Sequence, residues 1–178
     1  NAHLKLYSGA ALVATNTFVL SANRGMLLTN GNVFLGVAST KTMAYNGIIT
    51  DGVGTYGFVK NQGGELVLGG ANTYDGGTFL DKGTLTVSNA TALGTAKLDL
   101  GKGAGANTDT ATLKLALAGL SMANSITIKT NSTGLKTIQA VESATLSGAV
   151  TNQETGDDRF TLDVASGKTL TLSGVISS

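Results

Sequence analysis

Residues 64–89 read Gly64-Glu65-Leu66-Val67-Leu68-Gly69-Gly70-Ala71-Asn72-Thr73-Tyr74-Asp75-Gly76-Gly77-Thr78-Phe79-Leu80-Asp81-Lys82-Gly83-Thr84-Leu85-Thr86-Val87-Ser88-Asn89, and they set the architecture. Leu66 and Leu68 alternate with Glu65 and Val67, which predicts a short strand with a firm inward face. Gly69-Gly70 end that strand, Asn72 and Asp75 supply turn chemistry, and Gly76-Gly77 admit backbone angles closed to other residues. A second strand follows at Thr78-Phe79-Leu80, and a third at Leu85-Thr86-Val87 after the turn Asp81-Lys82-Gly83. Short strands separated by glycine corners describe a coil rather than a hairpin. One such coil cannot bury its own apolar face, so it must stack on others as a solenoid rung.

The same pattern extends in both directions. Upstream, Leu4-Lys5-Leu6, Phe18-Val19-Leu20, Met26-Leu27-Leu28, Val33-Phe34-Leu35 and Lys41 to Tyr45 read as strands. Ala10 to Leu20 is the one stretch a helix could claim, but Thr15, Thr17 and Val19 are β-branched and favour a strand at its end. Asn46-Gly47 is also a hairpin signal, set against corners that recur at solenoid intervals. Downstream, strands are predicted at Lys97 to Leu100, Thr112 to Leu117, Ser125 to Lys129, Thr137-Ile138, Ala144 to Leu146, Phe160 to Val164 and Lys168 to Ser173. Gly101 to Asp109 should project as a loop, and Asn152 to Arg159 is a charged one.

The intervals from Gly47 to Gly70, from Leu66 to Leu85 and from Gly148 to Gly174 repeat the same motif elements. They span 23, 19 and 26 residues, which suits rungs of roughly 20–25 residues, within the repeat range of solenoids. Rungs of about 22 residues would give roughly eight turns and a rod about 40 Å long. A longer echo aligns residues 40–49 with residues 167–176, and would make residues 40–166 one large unit. Leu66, Leu68, Leu85, Leu98, Leu113, Leu115 and Leu162 are the expected core ladders, with Thr, Asn, Ser and Lys ladders outside.

Composition agrees with an all-β chain. There are 25 glycines in 178 residues, no proline, cysteine or tryptophan, and only 13% charged residues. Twelve basic residues offset eleven acidic ones, and they are scattered. Nothing there draws the chain to nucleic acid or to an anionic membrane. No apolar run approaches the ~20 residues of a membrane helix, so this segment is not expected to insert directly. Without cysteine there is no disulfide framework, thiolate metal site or thiol nucleophile. The chain opens at Asn1 with no signal peptide, and is expected to be an internal piece of a longer secreted polypeptide.

Over residues 60–89 the chain resembles the autotransporter-associated β-strand repeat of Gram-negative passenger regions. The elements carrying the likeness are Lys60, Gly63-Gly64, Leu66 and Leu68, the run Gly70-Ala71-Asn72-Thr73-Tyr74-Asp75-Gly76-Gly77-Thr78, and Gly83-Thr84-Leu85-Thr86-Val87. Tyr45 to Ile49 and Leu172 to Ile176 resemble the strand that usually precedes that block. The resemblance implies a right-handed parallel β-helix (β-solenoid), with residues 1–178 as a single segment of a longer passenger. It further implies a location outside the cell, at the outer-membrane surface or released. The lack of cysteine suits export of an unfolded passenger.

Parallel β-helices also carry polysaccharide-cleaving enzymes, so chemistry has to be sought in the residues. Glu154, Asp157 and Asp158 are the one carboxylate cluster in the sequence. They could cleave a glycosidic bond if held apart in a groove, or take calcium through oxygen ligands, but beside Gly156 and Arg159 they read as a solvated corner. His3 is the sole histidine, which leaves no convincing metal site or catalytic triad. Gly101-Lys102-Gly103-Ala104-Gly105 lacks the spacing and following helix of a phosphate loop. Tyr7, Tyr45, Tyr56 and Tyr74 could line a carbohydrate groove; for Tyr74 a corner role is expected, ring on the stack and hydroxyl in water. Asn72 reads as a turn or internal-ladder residue.

The expectation is therefore scaffold chemistry in Gly70, Asn72, Thr73, Tyr74, Gly76, Gly77, Thr78 and Gly83, with no catalytic, cofactor or metal site. The function so read is a non-enzymatic structural or adhesive segment, against the alternative of a polysaccharide-binding or polysaccharide-cleaving β-helix. Expected partners are more rungs of the same polypeptide or neighbouring copies, with surface proteins or glycans of host or bacterium as further candidates. Neither end reads as a cap, so both are expected to stack on further rungs.

Overall fold

The computed structural model describes residues 4–102, 108–129, 134–153 and 159–178. Every strand pairing in it is parallel and none of the described residues is helical, so the chain winds as a right-handed β-solenoid of about seven turns. Strands are numbered in chain order. One wall stacks eight of them: β2 (Ala11–Ala14), β5 (Val33–Val37), β8 (Phe58–Lys60), β10 (Thr78–Leu80), β12 (Leu98–Leu100), β15 (Ile126–Ile128), β18 (Val150–Asn152) and β21 (Ile176–Ser177). A second wall stacks β3 (Phe18–Leu20), β6 (Thr42–Tyr45), β9 (Glu65–Leu68), β11 (Gly83–Val87), β13 (Ala111–Leu115), β16 (Lys136–Ala140) and β19 (Phe160–Val164). The third side carries β1 (Leu4–Tyr7), β4 (Met26–Thr29) and β7 (Ile49–Thr50) early, and β14 (Leu120–Met122), β17 (Ala144–Leu146) and β20 (Leu170–Leu172) late.

Along the eight-stranded wall one column of partners runs Leu12, Leu35, Lys60, Leu80, Leu100, Ile128 and Asn152, one residue per turn. The two shortest steps are those from Lys60 to Leu80 and from Leu80 to Leu100. In both of those turns the third side has no strand, and the repeat-like block of residues 70–78 occupies the first of them. The turns before and after them are longer, which accounts for about seven windings in place of the expected eight.

The pleat sends alternate residues inward. Met43, Leu66, Leu85, Leu113 and Ile138 form one inward column, all fully buried. Leu162 continues that column on β19 yet is 45% exposed, which corrects its placement in the core. Its side chain points inward, but β19 ends the wall, and among the described residues no further strand covers it. The outward column beside it runs Thr42, Glu65, Thr84, Thr112, Thr137 and Thr161.

Corners hold the turns close. A Cβ on Gly70 would collide with the carbonyl of Gly47 one turn back, and Gly83 sits at φ 80° against the Gln62 carbonyl. Asn46-Gly47 is such a corner rather than a hairpin: β6 pairs with β3 and β9, whereas β7 pairs with β4. The long echo fails as a structural unit, because residues 40–49 run through β6 and residues 167–176 through β20, on different walls. What the two share is a strand leading into a glycine corner. Of the expected projecting loops, residues 103–107 and 154–158 lie outside the described residues.

Candidate functional site

The block from Gly70 to Gly83 is built inward. Asn72 is nearly buried and spans three turns: its Oδ1 accepts the Ile49 N–H at 2.8 Å, and its Nδ2 donates to the Ala92 carbonyl at 2.6 Å. The irregular third side thus satisfies backbone groups that a strand ladder would otherwise pair. Thr73 is exposed, with its N–H on the Ile49 carbonyl at 3.0 Å. Tyr74 is fully buried, its ring edge-on to Phe58 with centroids 5.5 Å apart. Its hydroxyl lies 2.6 Å from Thr78 Oγ1, itself buried, and is not in water as expected. The turn without a third strand is narrow enough to draw the whole phenol inside. Burial raises the Tyr74 pKa, and its hydrogen bond with Thr78 offsets only part of that. Gly76 donates its N–H to the Tyr56 carbonyl at 3.2 Å, and the Gly77 carbonyl accepts from Phe58 at 3.3 Å.

Lys60 ends β8 with its side chain fully inside, and its Nζ donates to the carbonyls of Gln62 and, at 3.0 Å, Lys82. Burial, with the charge of Lys82 adding to it, brings its pKa down to about 8. The amine ties two successive corners together. Lys136 is likewise fully buried. The inward parity of Phe58-Val59-Lys60 marks this position in the sequence, but the charge of lysine masks it.

The structure sets Asp75, read in the sequence as a turn residue, on Asp51, which the sequence did not single out. Asp51 and Asp75 stand one turn apart along the chain, each followed by glycine. Asp51 Oδ2 accepts the N–H groups of Asp75 at 2.9 Å and Tyr56 at 3.2 Å. Burial pushes the Asp51 carboxyl up, but these bonds outweigh it and hold its pKa below the usual range. Asp75 is raised instead, by its hydrogen bond to the Asp51 side chain, by burial and by the Asp51 charge. The repeated Asp-Gly at one-turn spacing was the available signal.

Other charges are paired along the walls. Glu65 Oε1 accepts from Thr86 at 2.5 Å and from Lys114 at 3.1 Å, two turns on. Burial raises the Glu65 pKa and these partners more than reverse it, so it lies below the usual value. Asp99, 6% exposed, lies between Lys97 and Lys129, at 3.1 and 3.4 Å. The Lys97 ammonium is near Oδ1 but off the direction of a hydrogen bond to it, and bonds Oδ2 at 3.3 Å.

Glu154, Asp157, Asp158 and His3 lie outside the described residues, as do Gly103, Ala104 and Gly105. Among the described residues no three of His, Cys, Asp and Glu are grouped to hold a metal ion. Tyr45 and Tyr74 are buried, so the four tyrosines do not share a groove; Tyr7 alone is widely exposed, and Tyr56 is half-buried. An open cavity of about 570 Å³ at the first turns is lined by Leu4, Val19, Leu20, Arg24 and Tyr45 among others, none of them acidic.

Stacked parallel turns with inward-facing corner side chains define a β-solenoid built from repeats. Residues 58–87 match the family model of the passenger-associated-transport-repeat, consistent with an autotransporter passenger repeat. The matched segment runs from the start of β8 to the end of β11 and so contains the Asn72 and Tyr74 corner and Lys60. No curated protein and no solved structure matched the chain.

Proposed function

We propose that this chain is a non-enzymatic structural and adhesive segment of an autotransporter-type passenger, displayed at the cell surface or secreted, that makes surface contacts or self-associates. One observation carries the reading: the turn matching the passenger repeat directs Asn72, Tyr74, Thr78 and Lys60 into its own stacking. Those side chains serve rung-to-rung cohesion, and what is left outside is a long wall of short polar residues suited to many weak contacts. Its partners are further rungs, of the same polypeptide or a neighbouring copy, and protein or glycan surfaces. The exposed inward positions Leu162 and Ile176 on the outermost strands favour stacking of this kind.

Sizing the purified chain and scoring clumping of cells that display it tests the proposal. Concentration-dependent association is the expected result. A strict monomer that clumps nothing and binds no surface would refute it. Polysaccharide turnover lost in Glu154→Ala, Asp157→Ala or Asp158→Ala would favour the cleaving alternative, and a saturable glycan-array signal the binding one.

A further inference from the structure

The outward column of the eight-stranded wall changes character halfway along. From β2 it runs Ala11, Phe34, Val59 and Phe79, one residue per turn, and continues as Asp99, Thr127, Thr151 and Ser177. The pleat turns these positions away from the core, since Val33 and Leu35, Phe58 and Lys60, and Thr78 and Leu80 on either side of them are buried. Phe34, Val59 and Phe79 keep part of their surface in solvent, and Val13 beside them is well exposed. Among the described residues the second wall turns no aromatic ring outward: Phe18, Tyr45 and Phe160 all stand on its inward columns.

Phe34 and Phe79 stand two turns apart with Val59 between them, about 9.6 Å at the spacing of parallel strands. Rings at that interval along a straight ladder fit a linear chain of β-linked sugars, which advances by about one turn of the solenoid per sugar and offers flat C–H faces for stacking. Polar groups border the stripe. The Lys97 stem and the Phe79 ring both lie 4.0 Å from where a Cβ on Gly77 would stand, and the half-exposed Lys97 ammonium is held by Asp99 at 3.1 Å. Gln62 lays its amide against Gly36, two residues along β5 from Phe34. These groups can donate to and accept from sugar hydroxyls. A protein partner fits less well. The stripe is a column or two wide, far short of the roughly 800 Å² that each side of a stable protein interface buries. The backbone groups of the wall are spent in its parallel ladder, so an extended peptide laid on the face would find none to pair with.

We propose that the outward stripe of Phe34, Val59 and Phe79 binds a linear β-linked glycan lying along the solenoid axis. Its outer rings stack on the two phenylalanines, the ring between them covers Val59, and its hydroxyls reach Lys97 and Gln62. The assignment rests on the reading of the chain as a surface-contact segment, and gives that contact one face and one class of ligand.

Cellohexaose, a β-1,4-linked hexasaccharide, is the probe, titrated into the whole chain and followed by calorimetry and NMR. Saturable binding is expected, with amide shifts gathered around Phe34, Val59 and Phe79. Phe34→Ser and Phe79→Ser should each weaken it about tenfold or more, and Phe79→Tyr should hold it within about twofold. Val67→Ser, which changes an outward valine of the second wall, should leave it unchanged. Absence of saturable binding, or binding that survives both serine variants, would overturn the proposal. So would self-association abolished by Phe79→Ser, which would make the stripe a contact between copies. A chain that still clumps cells but ignores the hexasaccharide sinks this assignment and leaves the contact reading standing. Should a serine variant fail to fold, wild-type shifts that map to the other walls would overturn the proposal instead.

Discussion

Lys60 Nζ donates to the carbonyl oxygen of Lys82, 3.0 Å away on the next turn, from a side chain with no exposed surface. A charged group inside a β-solenoid is tolerated because corner carbonyls, left over where strands end, need donors. The lysine satisfies two of them at once and ties consecutive turns at the same corner.

That placement makes stability depend on alkaline pH. Below pH about 8 the amine is charged in the folded and the unfolded chain alike. Between about 8 and the ordinary lysine value of 10.5 the unfolded chain holds the extra proton, so stability should rise with pH. Tyr45, raised by burial from 10.0 to about 12, opposes the rise above 10.0, because the unfolded phenol ionises first. Urea midpoints should therefore climb from pH 8 to 10 in the wild type and stay level in Lys60→Met. Identical profiles would remove the lysine from the account.

Asn72→Leu should strip the Ile49 N–H and the Ala92 carbonyl of their partner in a buried setting. At about 1–3 kcal/mol for each orphaned group, the loss should be a few kcal/mol. Chemical denaturation reads it directly, and a change below about 0.5 kcal/mol would mean that water or a backbone shift replaces the amide.

Tyr74→Phe and Tyr74→Ala separate the hydroxyl from the ring. The first keeps the edge contact with Phe58 and orphans the Thr78 hydroxyl, for about 1 kcal/mol. The second also empties a ring-sized space, for about 3–5 kcal/mol. Equal effects in a thermal melt would show that the ring is not packed as described.

Leu68→Asp and Leu162→Asp place the same charge at two inward positions of one wall. Leu68 is fully buried and Leu162 is 45% exposed. The first should cost several kcal/mol, because a buried unpaired charge replaces a packed side chain, and the second much less. Melting temperatures that rank them the other way would contradict the stacking order.

Where polar and apolar residues alternate cleanly, as from Glu65 to Leu68, Thr112 to Leu115 and Ser125 to Lys129, the pattern marked the strand without help from the fold. Strands without that contrast were harder to see. Ala11–Ala14 is uniformly apolar, Leu120–Met122 is short, and Phe58–Lys60 ends on an inward lysine. Their strand character comes from neighbours one turn away, such as Val33–Val37 for the first.

By itself the sequence determined a parallel solenoid, its glycine corners and the alternation that fills its core, because these are local: a pleat of period two and a backbone angle only glycine adopts freely. Tertiary structure alone decided which residues lie above one another. A partner sits one turn away, and the turn from Leu100 to Ile128 is longer than the turn from Lys60 to Leu80. The longer turn carries the third-side strand β14 and the shorter has none, a difference no local pattern encodes. That variable offset drew the Tyr74 hydroxyl onto Thr78, laid Asp75 against Asp51, and left Leu162 at an uncovered edge.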